Sequence, residues 1–179
     1  MLRLIALLCA LSLNQPSGNL AAQDPRLAAR LDSATRVQVE AVLTAAHEER
    51  LPVEPLVQKA LEGSSKRAPG LRIVAAVESM LGDLRRARHS LGEGASTDEL
   101  VAGAAALRAG ASPDMVGRIR RAEPHDDVAV PLAVFTDLVA GGMTVDAAWQ
   151  SVSKLAEDGG NDQEFLDLRE RLRPRGPAP

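Results

Sequence analysis

The residues able to do acid–base or metal chemistry are few and far apart. Histidine occurs only as His47, His89 and His125. No two of these stand three or four residues apart, so no helical face offers a ready pair of metal ligands. His47-Glu48-Glu49 lacks the second histidine that a zinc-protease helix carries. Pro124-His125-Asp126-Asp127 sets an imidazole beside two carboxylates at a turn, where a metal or a general base could act. The same aspartates would serve as caps for a following helix and complement its dipole. A cryptic hydrolase or metal-binding protein would have to be assembled around His47 or His125 from residues distant in sequence. The chain has no G-x-S-x-G elbow and no phosphate-cradling glycine loop. It therefore reads as a non-enzyme, with no catalytic, metal-ligating or cofactor-binding residue expected.

The other chemistry-bearing residues are arginines in two clusters, Arg85, Arg86 and Arg88 beside His89, and Arg118, Arg120 and Arg121. Cations late in a helix are favoured by its macrodipole at a few tenths of a kcal/mol, which accounts for them without a ligand. As a functional surface they would contact an envelope protein or an anionic envelope polymer. The chain as a whole carries a formal charge of −3. That balance disfavours nucleic acid, because phosphate contacts supply most non-specific affinity.

Positioning these residues falls to helices. Of 179 residues, 45% are hydrophobic, 25% charged and only 2% aromatic, the balance of one alanine-rich helical domain whose core is Leu, Val, Ile and Ala. Ser96 and Glu99 have the spacing of a capping box. Gly110 is placed to stop that helix, and Ser112 with Pro113 to cap and open the next. The same punctuation, G-[A/M]-[S/T]-x-D, occurs at Gly94, Gly110 and Gly142. Asn161 with Glu164 is a second capping-box candidate.

Asp24-Pro25 opens a helix to about Glu49, reset at Ser33. A second helix runs from the Pro52–Pro55 turn to a stop at Gly63. Pro69 opens the longest, with Val74, Val77, Leu81, Leu84 and Leu91 as its apolar seam, ended by Gly92. Later helices carry Leu132, Phe135 and Leu138, then Ala148, Trp149 and Val152, then Phe165, Leu168 and Leu172. Pro131 is tolerable only in a first turn. No stretch alternates like a strand. The expected fold class is all-α, a multi-helix bundle or a short α-solenoid of stacked helical hairpins.

The 32-residue step from Gly110 to Gly142 is near the period of stacked helical hairpins, although the tetratricopeptide signature is absent. True repetition and convergent turn punctuation both account for it.

Three segments are expected. Arg3 followed by the apolar run Leu4–Leu13 and Leu20-Ala21-Ala22 before Gln23 fits a signal peptide over 1–22. That run is too short to span a bilayer. Residues 23–173 form the helical domain, and 174–179 a disordered proline-rich tail. Cleavage near Ala22-Gln23 would remove Cys9, leaving no thiol for catalysis or metal ligation, and would place the mature protein in the periplasm or outside the cell.

Two resemblances follow from these residues. Ala105–Arg121, with Ala106, Gly110, Val116 and Ile119 at the required positions, resembles the helix-turn-helix of bacterial DNA-binding proteins. That resemblance implies a recognition helix from Pro113 and DNA contacts by Arg118, Arg120 and Arg121, an alternative that requires the N-terminus not to be a signal peptide. Over residues 25–173 the composition resembles exported bacterial all-helical proteins of no known activity, which implies an envelope location and a helical fold. The reading that joins these features is an exported interaction or scaffold module, needing no cofactor.

Overall fold

Side chains start most helices where the sequence places them. The computed structural model describes residues 24–123 and 127–172; the leader-like stretch 1–22, His125 with Asp126, and the tail 174–179 lie outside the described residues. Ser96 accepts from the Glu99 N–H while Glu99 accepts from the Ser96 N–H, closing the capping box. Ser112 and Thr144 each accept from the amide three residues on. Asn161 and Glu164 form the second reciprocal box.

The helices so opened are α1 (Pro25–Ala28), α2 (Ser33–Glu48), α3 (Glu54–Ser65), α4 (Gly70–Leu91), α5 (Thr97–Arg108), α6 (Pro113–Ala122), α7 (Ala129–Ala140), α8 (Val145–Glu157) and α9 (Asp162–Leu172). Among the described residues there is no strand. Pro131 falls in the first turn of α7, where its missing N–H costs no helical bond.

One boundary falls where the sequence reading puts it and one does not. The first helical stretch resets at Ser33: α1 ends at Ala28, and α2 begins afresh there because the Asp32 carboxylate accepts from both the Thr35 N–H (2.9 Å) and its hydroxyl (2.6 Å). The second helix does not stop at Gly63 but runs on to Ser65. Gly63 is a packing glycine there, since a Cβ on it would lie 2.9 Å from Ile73 Cγ1.

The stops of α2, α3, α5, α7 and α8 share one device with different residues. After α5, the Gly110 N–H donates to Leu107 and the Ala111 N–H to Ala106. After α7, Gly142 and Met143 donate likewise to Val139 and Leu138. This is the Schellman arrangement, which needs a left-handed residue at its hinge, and Gly110 (φ 110°) and Gly142 (φ 97°) supply it. After α2 and α3 the same bonds run from Arg50 and Leu51 to His47 and Ala46, and from Arg67 and Ala68 to Ser64 and Gly63. The hinge residues there are arginines, at φ 55° and 54°.

The helices stack in succession along the chain. α4 is the middle element, packed on α2 and α3 to one side and on α5 and α6 to the other. α5 then lies along α7, α6 along α8, and α9 along α7. Hairpin α5–α6 thus stacks on hairpin α7–α8, so turns 32 residues apart in sequence (Gly110 and Gly142) belong to neighbouring hairpins. One apolar cluster threads through the stack from Leu27 to Phe165, built of leucine, valine and alanine with few larger rings. Small side chains let helices close up: Gly103 of α5 sits so near α4 that a Cβ would lie 3.0 Å from Leu91 Cδ1 and 3.2 Å from Ala87 Cβ.

Candidate functional site

The polar side chains that converge are carboxylates buried between helices, each gripped by arginines. Glu99, 5% exposed, begins as half of its own helix cap. Its second oxygen reaches across the stack, accepting from Arg120 of α6 (2.9 Å) and from the Val128 N–H at the start of α7 (3.1 Å). The first amides of a helix have no intrahelical partner. α7 has no side-chain cap at Val128 itself, so Glu99 of α5 closes that amide, with the Asp127 carboxylate taking the Ala129 N–H (2.7 Å). One carboxylate therefore joins α5, α6 and α7.

Asp83 of α4 is 4% exposed and accepts from Arg86 on its own helix and from Arg108 at the end of α5. An acid buried between Leu81 and Leu84 stands on the apolar seam, and that break in the pattern is the signal by which sequence reasoning could have found it. A buried carboxylate held by charge-assisted hydrogen bonds is costly to strand, because removing its partner leaves an uncompensated charge.

The six arginines singled out from the sequence do not act alike. Arg85 is half-exposed and forks onto Glu49 of α2, at 2.5 and 2.8 Å. That guanidinium holds the Glu49 carboxyl below its ordinary range. Arg86 bonds Asp83 with its head largely in solvent. Arg88 is the more buried, donating to the Arg50 carbonyl (2.8 Å) and to Glu93 (3.2 Å). Arg118 and Arg121 share Asp114, at 2.9 and 3.4 Å, and both stay well exposed. Arg120 is turned inward onto Glu99. Arg85, Arg86, Arg118 and Arg121 are thus held in place yet accessible, while Arg88 and Arg120 fasten helices together.

The residues that carry the helix-turn-helix resemblance lie in α5–α6, with Ala106, Val116 and Ile119 buried and Gly110 at the turn. The second helix of that pair lies between α4 and α8, and Asp114 at its start takes the two outward arginines. His47 and His89 are exposed. Among the described residues no three His, Cys, Asp or Glu side chains gather as metal ligands, and no helix is long and apolar enough to cross a membrane.

The outer surface carries grooves between neighbouring helices. One of about 430 Å³ runs between α5 and α7, floored by Val101, Ala105, Val130 and Ala133 with Asp98 and Asp137 on its rim. Another, about 490 Å³, lies between α2 and α4, with Val42 and Leu81 beside Glu78 and Arg85. No family model matches the chain, and neither a curated protein nor a solved structure matches it.

Proposed function

We propose that this protein is a non-catalytic binding module, exported to the cell envelope, whose stacked helices present grooves and pre-positioned arginines to a partner protein. The observation that carries the reading is the division of labour among the charged groups. The buried acids Asp83 and Glu99 fasten the stack, and Arg85, Arg86, Arg118 and Arg121 are immobilised by acids while their heads remain in solvent. Side chains ordered before association lose less rotamer entropy on binding, each worth about 0.5–1.5 kcal/mol. Stacked hairpins also give an extended surface of the kind that recognises macromolecules. Export rests on Arg3, the Leu4–Leu13 run and Leu20-Ala21-Ala22.

The test is affinity capture from an envelope extract with the natural chain and with the double variant Arg85→Gln, Arg118→Gln. The variant should retain its helical circular dichroism and lose most of the captured partner. Equal capture by both proteins defeats the reading. Arg120 is unsuitable as a surface probe because its loss would strand Glu99. Mass analysis of the mature chain should find Gln23 at its start; an intact Met1 on a cytosolic product defeats the envelope assignment.

A further inference from the structure

The α5–α7 groove combines an apolar floor with Asp98 and Asp137 as its only charged lining residues, whereas the α2–α4 groove carries Arg85 beside Glu78. Its two ends are fixed by the stacking. The bond from the Val128 N–H to Glu99 sets the start of α7 beside the start of α5, and the two helices run along each other. Asp98, in the first turn of α5, therefore marks one end, and Asp137, in the third turn of α7, marks the other. At 1.5 Å per residue the separation is on the order of 10 Å. Asp137 is engaged only at the surface, by Arg169 at 3.2 Å. An occupant must bring an aliphatic side chain for the floor and cations for the ends.

The chain itself displays such a group on α4 and α2, outside the α5–α7 pair. Leu71, in the first turn of α4, is 79% exposed, and Val37 on the adjoining helix α2 is 61% exposed; both are large apolar residues left to solvent. Leu71 is flanked by Arg67 and Arg72, both exposed, and Val37 follows Arg36. Neither Arg67 nor Arg72 has an ion pair among those formed within the described residues, unlike the arginines of the two clusters. The knob is apolar and basic, the groove apolar and acidic, and they lie on different helices of one chain.

We propose that the knob around Leu71 of one copy seats in the α5–α7 groove of a second copy, giving head-to-tail association. The contact is heterologous, so each added copy leaves one free knob and one free groove, and assembly is open-ended unless the rotation closes a ring. The surfaces involved are separate from the arginine clusters assigned to an envelope partner, so either proposal can fail alone.

Sedimentation velocity of the purified chain between about 10 and 500 µM tests it, the span in which contacts of roughly −5 to −7 kcal/mol show themselves. The mass-average should rise at least twofold across that range at low salt and fall back in about 0.5 M NaCl, where exposed charges are screened within a few ångströms. Leu71→Asp removes the knob and Ala133→Arg blocks the groove, both at exposed positions. Each variant alone should stay monomeric, and an equimolar mixture should form a discrete dimer, because one supplies an intact groove and the other an intact knob. Should Ala133→Arg lose helicity, Asp98→Lys takes its place. A natural chain that is monomeric throughout overturns the proposal, as does a mixture of variants that fails to pair, or association that survives either substitution.

Discussion

The turns of the two halves of the chain solve one problem with different residues. After α2 and α3 the left-handed hinge is Arg50 or Arg67; after α5, α7 and α8 it is Gly110, Gly142 or Gly159. An arginine there carries the Cβ penalty that glycine avoids, about 1–2 kcal/mol. The helices that follow differ too. α3 and α4 begin at Val53 and Pro69 without a side-chain cap, whereas α5, α6 and α8 begin at Ser96, Ser112 and Thr144 with one. Ionic links follow the same division. The first half is clipped at its surface, by Arg26 on Asp24 and Glu54, Arg85 on Glu49, and Lys59 and Lys66 on Glu62. The middle of the stack is locked from inside by Glu99 and Asp83. The comparison teaches that glycine stops and hydroxyl caps fix α5, α6 and α8 locally, while tertiary packing imposes the same turn geometry after α2 and α3 against local preference.

The sharpest way to break this contrast is to remove the inner lock. Glu99→Gln should cost about 3 kcal/mol in urea unfolding, since it breaks a buried, charge-assisted contact that joins Arg120 to the start of α7; Glu49→Gln, at the surface, should move the midpoint little. Next in size, Gly110→Ala should cost about 1–2 kcal/mol by forcing a Cβ into the left-handed region. The reverse exchange, Arg67→Gly, should stabilise the protein by about 0.5–1 kcal/mol, as glycine relieves that strain. A loss of stability there would show that the Arg67 side chain repays its backbone.

The smallest effect concerns acid. Glu62 is held down to about 2 by hydrogen bonds from Lys59 and Lys66, and Asp24 and Glu54 are lowered by Arg26. A carboxylate lowered on folding adds stability above its unfolded value near 4 and loses it as pH falls through the folded value. Stability should therefore decline from about pH 4 toward pH 2, and Glu62→Gln should flatten that limb by lowering the neutral-pH midpoint slightly toward its acid value, an effect kept small by solvent screening.

Legibility in the sequence follows the same line. Ser96 with Glu99, Ser112 with Pro113, Thr144 and the glycine stops were readable because each is a local requirement with a narrow choice of residues, and the all-helical fold follows from them. Arg50 and Arg67 could not be read as stops, because arginine is unremarkable anywhere on a helix surface and only packing forces it left-handed. Gly63 misled for the converse reason: a glycine also serves close approach, here to Ile73. Within the candidate site, the arginines of both clusters could be named, but not their division into exposed and inward-turned heads. That division depends on which acids lie across the stack. Glu99 was visible as a cap, and its further reach to Arg120 and Val128 is set by how α6 and α7 lie on α5.

The account rests on the inward arginines being fasteners, which leaves binding to the outer surface. A double-mutant cycle of Glu99→Gln and Arg120→Met in urea measures this directly. The two losses should fall short of additivity by at least about 1.5 kcal/mol, the coupling expected of groups in one hydrogen-bonded pair. Losses that simply add would mean that Arg120 does not hold Glu99, and the inner lock would not exist.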